Sequence, residues 1–371
     1  MTQPIVPTLP ARILPAHVLR TADLPWLAES GADSNWEIKD FTSLPLVGLR
    51  ASLVRLLPGH TSELFHFHHF AEELVYILDG AATLRQGDGS GPDALVPVQA
   101  GDLCVFAPFS GGGPARVAAT GALRPLAHQF INESSEPFTA MVVSEQLPHE
   151  LNEYPDSGIT HLRALGRRFR LQPGAYFDGE GDPLPTLQLP AGPATARARR
   201  RVARQDLPSN VVATATIAEK TWGKGQIGNS WRELGEKAGA VQLGLSVTRI
   251  AGGQASAPLH FHMADNELFY IVAGRGWLVQ AQAARNASGQ WATARVGESV
   301  HIALQVGDIV SFPPATGLGH QFRNTAEADL VYLAMGTDRR EDVCVYPHSG
   351  KVLIGATRGL GWMVDADERS V

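Results

Sequence analysis

The sequence predicts an all-β protein made of two copies of one barrel or sandwich domain, and three observations predict it. Residues 53–80, LVRLLPGHTSELFHFHHFAEELVYILDG, return as residues 247–274, VTRIAGGQASAPLHFHMADNELFYIVAG, at a constant offset of 194. The 38 Gly and 25 Pro among 371 residues put a turn-former at about one position in six, which suits many short strands. Between these turns the apolar runs are short and rich in β-branched and aromatic residues, and none sustains a 3.6-residue period beyond about three turns.

Taken in order, LVYILDG, DLCVFAP, AHQFIN and TAMVVS read as strands of the first copy, and LFYIVAGRGWLVQAQ and DIVSFPP as strands of the second. Short helices are expected near 21–30, 143–152 and 229–238. The register continues beyond the first repeat: Gly101-Asp102 answers Gly307-Asp308, His128-Gln129-Phe130 answers His320-Gln321-Phe322, and Tyr154-Pro155 answers Tyr346-Pro347, the last two at offset 192. The copies differ in their loops, chiefly in a glycine-rich insertion, Ser110–Ala127, which is expected to form a flap beside the mouth of the first barrel. A proline-rich stretch followed by Arg197, Arg199, Arg200, Arg201 and Arg204 separates the copies. The boundary is placed near residue 190, giving domains 1–190 and 191–371. The arginines read as a solvated face or a contact to the other domain rather than a nucleic-acid patch.

Composition narrows the function classes. A net charge of −6 gives no general attraction to phosphate backbones or anionic lipid, so neither nucleic acid nor a membrane surface is an expected partner. Cys104 and Cys344 form no CxxC pair and no disulfide framework. The opening residues lack a secretory leader pattern, and no apolar run approaches the ~18 residues of a membrane span. A reduced, cytoplasmic protein is expected. Cys104 reads as core, and Cys344 as an incidental thiol with no base placed beside it.

The chemistry lies in the histidines. In a strand His66 and His68 project from one face, as do His260 and His262, about 7 Å apart along the backbone, so each pair can converge on one ion. Five residues after each HxH comes a glutamate, Glu73 or Glu267, and about 55 residues further on a third histidine, His128 or His320. Six of the thirteen histidines fall into these slots, which makes coincidence a poor account. Three imidazoles and a carboxylate suit a divalent transition metal, Fe first among Mn, Ni, Cu and Zn, with open positions for a substrate. Glu73 is preferred to Glu72 because only Glu73 aligns with Glu267. His69, with Met263 at its equivalent, should face away from the ion.

The pattern HxH-x4-E-x6-G, then G-D-x5-P and H-x3-N, resembles the two motifs of the cupin superfamily. The resemblance covers roughly residues 40–160 and 235–355 and departs in the first copy only between Pro108 and His128. It implies two tandem double-stranded β-helix (jelly-roll) barrels with a few short helices, a bicupin, each barrel holding a metal on its three histidines and glutamate. Asn132 and Asn324 are expected to support the late histidines or pair strands, and Tyr154 and Tyr346 to end the barrels. Trp231 and Trp277 read as core or rim aromatics. Arg55 and Arg249 are open between anion binding and structural ion pairing.

Such an ion keeps a formal charge of +1 and should attract a small anionic oxygen ligand. Among bicupins of this length and ligand set the chain resembles quercetin- and gentisate-type dioxygenases and oxalate decarboxylases. The expected function is a metal-dependent dioxygenase acting on a small aromatic or enolic anion. The alternatives are an isomerase or decarboxylase and a non-catalytic metal- and ligand-binding protein. Glu267 and Glu73 are the candidate catalytic carboxylates, Glu267 as ligand and general base. Copy two is the preferred chemical site because both its motifs are intact. A homo-oligomer is compatible with the sequence.

Overall fold

A computed structural model of the chain describes residues 17–31, 34–88, 91–108, 126–169, 198–285, 289, 291–339, 341–355 and 362–365. Most of the Ser110–Ala127 insertion and the proline-rich linker with Arg197 lie outside these residues. The two copies each form a β-barrel built on a seven-stranded sheet, and the sheets have the same strand order.

In barrel one the order runs Val211–Ala213, Asp102–Phe106, Glu73–Asp79, Phe138–Glu145, Leu49–Leu56, Ser34–Asp40, Leu27–Gly31. In barrel two it runs Val18–Arg20, Asp308–Phe312, Glu267–Ala273, Leu330–Thr337, Leu243–Ile250, Ile227–Glu233, Lys220–Lys224. The first strand of each list is lent by the other half of the chain. Val18–Arg20 pairs antiparallel with residues 308–310, and Val211–Ala213 pairs with 102–104. The exchange is closed twice in the same way, by Thr21 Oγ1 donating to the Gly307 carbonyl and Thr214 Oγ1 donating to that of Gly101, each at 2.7 Å.

Side-chain alternation explains why the strand sequences are apolar on both faces. In Glu73–Asp79, Val75 and Ile77 join the interior of barrel one with Leu84, Phe106, Phe130 and Phe138. Leu74 and Tyr76 point the other way, into a second core with Leu243, Leu245, Leu268, Ile309, Leu333 and Met335 of barrel two. A strand buried on both faces cannot show polar alternation, so it reads as a continuous apolar run. Burial of each large side chain in this shared core is worth about 1.5–3 kcal/mol, which joins the barrels through the backs of their sheets. Barrel two has its own interior around Ile250, Phe269, Ile271, Phe322 and Tyr332.

The expected strands are present, and the expected helices are mostly replaced. Residues 21–30 hold a 3-10 turn, Thr21–Asp23, and then strand Leu27–Gly31. Residues 143–152 are the end of strand Phe138–Glu145, a turn, and the start of Leu151–Tyr154. In 229–238 only Gly235–Ala238 is helical, because residues 227–233 are claimed by strands on both sides. The linker arginines dock on barrel one. Arg199–Arg201 runs parallel to Asp93–Gln99, Arg204 forms a double ion pair with buried Asp102, and Arg201 meets Glu133 at 3.3 Å. Among the described residues no helix is long and apolar enough to cross a membrane.

Candidate metal centres

Strand pairing brings the distant histidines together. His66 and His128 exchange both backbone hydrogen bonds across two strands, and His260 and His320 do the same, with identical distances of 3.2 and 2.8 Å. Residues directly opposed in this way share a face with their Cβ atoms about 5 Å apart, so the late histidine is delivered to the first by register. The ring planes are set by aromatic neighbours. His128 stacks on Phe106 at 3.7 Å between centroids, and His320 stacks on Phe312 at 3.9 Å.

The glutamates complete both clusters. Glu73 Oε1 lies 3.1 Å from His128 Nε2 and its Oε2 lies 3.7 Å from His68 Nε2. Glu267 lies 3.1 Å from His320 Nε2 and 3.4 Å from His262 Nε2. Ring nitrogens of His66, His68 and His128 fall within 4.8 Å of one another, as do ligand atoms of His260, Glu267 and His320.

A cation fits the donors present. His66 Nδ1–H donates to the Leu64 carbonyl at 2.7 Å and His260 Nδ1–H to that of Pro258 at 2.8 Å, which fixes the tautomer and leaves each Nε2 lone pair facing the cluster. His66 Nε2 and His68 Nε2 are buried without a hydrogen-bond partner. Orphaned acceptors converging on one point are costly unless something electropositive lies between them. Burial, with His320 beside it, lowers His260 to about 3, and His66 is held well below the ordinary range by burial and His128. Both rings are therefore neutral, as a ligand must be. Burial acts against the Glu73 carboxylate, but His128, His68 and His66 outweigh it and hold the carboxyl at about 2. For Glu267 burial is likewise outweighed by His262 and His320, and the group stays well below the usual carboxylate range. An ionised carboxylate in this place can serve as an anionic ligand.

Two supporting carboxylates escaped the motif reading. Asp342, fully buried, accepts the His262 Nδ1–H at 2.6 Å and the backbone N–H groups of Ala264 and Asp265 at 2.8 and 3.1 Å. Burial opposes protonation of His262, yet Glu267 and Asp342 raise it to about 9. Glu150, also fully buried, stands 3.7 Å from His68 Nδ1 and accepts the N–H groups of Ala71 and His69 at 2.6 and 3.0 Å. Each carboxylate thus holds the turn between HxH and Glu and stands beside the second histidine, Asp342 in a hydrogen bond and Glu150 at ion-pair distance. Glu150 and Asp342 are 192 positions apart, the offset that relates His128 to His320. That register was the available signal, hidden because the two residue types differ.

The other singled-out residues take structural places. His69 turns to Glu153 at 3.3 Å, away from the ion site. Asn132 bridges the Leu56 and Glu136 carbonyls, and Asn324 those of Ile250 and Ala328, so both pair strands. Arg55 is ion-paired to Glu37, and Arg249 to Glu219 and Asp329. Tyr154 and Tyr346 each close a turn and set the ring 5.8 and 5.7 Å from His66 and His260.

The clusters differ in access. In barrel two a cavity of about 580 Å³ reaches His260, Glu267 and His320, walled by Phe269, Phe322 and Tyr332, with Trp222, Trp231 and Lys351 also lining it. In barrel one the space bounded by His66, Glu73, His128 and Glu63 is about 80 Å³.

Residues 228–349 match the family described as Cupin. No curated protein matches the chain in sequence. Among solved structures, a formate complex of Lactobacillus farciminis oxalate decarboxylase is 15% identical, with 88% of this chain and 87% of that one covered, at a TM-score of 0.51. A mutant of Bacillus subtilis oxalate decarboxylase is 16% identical, with 91% and 81% covered, also at 0.51. At these identities the likeness is one of fold.

Proposed function

We propose that this chain is a bicupin, with two cupin barrels in one polypeptide, and that it is a metal-dependent enzyme acting on a small organic anion in barrel two. The observation that carries this reading is the cavity of about 580 Å³ opening onto His260, Glu267 and His320, against about 80 Å³ at the equivalent cluster of barrel one. The ion in barrel two would be held by His260, His262, His320 and Glu267, and in barrel one by His66, His68, His128 and Glu73. A bound divalent ion supplies Lewis-acid polarisation of an oxygen ligand. The residues of the chain do the rest. Asp342 fixes the tautomer and aim of His262, Glu267 holds one negative charge beside the substrate position, and Phe269, Phe322 and Tyr332 exclude water from one wall.

We favour non-oxidative chemistry, decarboxylation or isomerisation, over the oxygen-dependent reaction that the sequence first suggested. Support comes from two solved structures of similar fold, both oxalate decarboxylases. The aromatic lining, with Trp222 and Trp231 added to Phe269 and Phe322, favours a second reading, a dioxygenase whose substrate carries a ring. One experiment separates them. Carbon dioxide release and oxygen uptake are measured together on Fe-, Mn- and Ni-loaded protein with oxalate, larger keto and aryl acids, catechols, flavonols, gentisate-like acids and 1,3-diketones. Release without uptake supports the first reading, and uptake supports the second. Loss of turnover in His262→Ala but not His68→Ala places the reaction in barrel two, and the opposite result moves it to barrel one. Metal binding with no turnover of any kind overturns the enzyme reading.

A further inference from the structure

We propose that Cys344 gives barrel two a thiolate metal site that barrel one lacks, so that barrel two holds zinc more tightly than barrel one does. This rests on the metal-centre reading above and extends it. The two clusters share their four expected ligands but differ at two neighbouring positions, and both differences point the same way.

The first is opposite the second histidine. Asn152 pairs with His68 in barrel one, and Cys344 pairs with His262 in barrel two, each directly across an antiparallel ladder. Opposed residues share a face, so the thiol stands on the ligand side of the strand. Its sulfur lies within 4.8 Å of ring nitrogens of both His260 and His262, and the residue is 1% exposed. Barrel two therefore offers two overlapping three-donor sets that share His260: His260, Glu267 and His320, or His260, His262 and Cys344. Two imidazoles and a thiolate leave a divalent ion a formal charge of +1 and an open fourth position, the same charge that three histidines and Glu267 leave. An anionic substrate is therefore served by either set.

The second difference lies three residues before the first histidine. Glu63 bounds the small cavity of barrel one, its Oε2 3.7 Å from His66 Nε2, a nitrogen with no hydrogen-bond partner. The equivalent residue in barrel two is Ala257. Barrel one therefore adds a carboxylate oxygen to its donors where barrel two adds a sulfur. Zn²⁺ outranks Mn²⁺ at imidazole and carboxylate donors as well, so the added thiolate shows as a margin in zinc affinity between the barrels.

The test uses the full chain, stripped with a chelator and then offered Zn²⁺. With excess zinc both barrels should fill, and His68→Ala and His262→Ala should each keep one ion. With one equivalent the zinc should fill barrel two first, and zinc-edge X-ray absorption should then show one sulfur at about 2.3 Å, retained in Cys104→Ala and lost in Cys344→Ser and Cys344→Ala. Chelator competition should show zinc affinity about tenfold or more weaker in both Cys344 variants. Zinc held in barrel two by nitrogen and oxygen alone, or an affinity unmoved in both variants, overturns the inference and leaves the four-ligand centre standing. Zinc content unchanged in His262→Ala, by contrast, overturns the metal-centre reading itself.

Discussion

Glu72 and Asn266 stand at equivalent positions, one residue before the two ligand glutamates, and each closes its hydrogen bonds on the opposite barrel. The Glu72 carboxylate accepts the N–H groups of Val241, Gln242 and Leu243 at 2.9, 2.8 and 2.7 Å. The Asn266 amide takes both the N–H and the carbonyl of Val47, at 3.0 and 2.7 Å. Val47 and Val241 are themselves equivalent, 194 positions apart, so the clasp is reciprocal. Strand parity drives it: Glu73 and Glu267 face their barrel interiors, and the residue before each must face the shared core.

Breaking this clasp should cost stability without touching a ligand. Glu72→Ala leaves three backbone N–H groups unpaired at the interface, and each buried unsatisfied donor costs about 1–3 kcal/mol, so a loss of about 3 kcal/mol or more is expected. Asn266→Ala should cost about 2 kcal/mol on the same scale. Thermal and urea midpoints measure both. A change within about 0.5 kcal/mol, the size of ordinary surface substitutions, would show that the shared apolar core holds the barrels unaided.

Asp342 should act on the metal through His262. Asp342→Asn cannot accept from His262 Nδ1 and from two backbone N–H groups as the carboxylate does, so the ring loses its fixed aim. Loss of such outer partners typically weakens metal binding about 10–100-fold. That loss should be confined to barrel two, leaving the far-ultraviolet circular dichroism and the barrel-one ion unchanged. Chelator competition on single-ion samples reads it directly. Equal weakening in both barrels would assign Asp342 to the fold rather than to His262.

Much of this organisation was legible because the chain repeats. A duplicated HxH, glutamate and late histidine fix which residues converge, and strand alternation fixes their facing. Less legible were features whose partners change identity between copies. Glu150 and Asp342, Glu72 and Asn266, and Asn152 and Cys344 are each equivalent in place but different in side chain, so a search for matching letters passes over them. The exchanged strands Val18–Arg20 and Val211–Ala213 are three residues long. Three residues carry no period, and only tertiary pairing makes them strands. The helices expected over 143–152 and most of 229–238 gave way for the related reason that strand pairing overrides local propensity.

Acidity offers a test away from the centres. Burial pushes the Glu233 carboxyl up to about 7, with Asp338 and Glu236 adding to the rise and Lys220 opposing it. Its folded value lies above its unfolded one, so the folded state binds the extra proton. Glu233 therefore works against folding above pH 7, and this penalty is relieved as pH falls from about 7 toward the unfolded carboxylate range near 4.3. Glu233→Gln should raise the thermal midpoint at pH 8 and leave a smaller gain on acidification to pH 5. Parallel wild-type and variant profiles would mean that Glu233 ionises freely in the folded chain.

The difference between Glu63 and Ala257 predicts how each centre meets an anion. A carboxylate beside the first histidine places a like charge next to the position an anion would take at the ion, and like charges repel. Ala257→Glu should therefore weaken binding of oxalate to the Mn-loaded protein by about tenfold, since it writes the barrel-one residue into the open cavity of barrel two. Glu63→Ala should do the reverse, strengthening oxalate binding in barrel one. Isothermal titration calorimetry on His68→Ala and His262→Ala backgrounds isolates one centre at a time. Unchanged oxalate affinity in Ala257→Glu, with manganese still bound, would show that the charge beside the first histidine does not govern anion entry, and would leave cavity volume as the difference between the barrels.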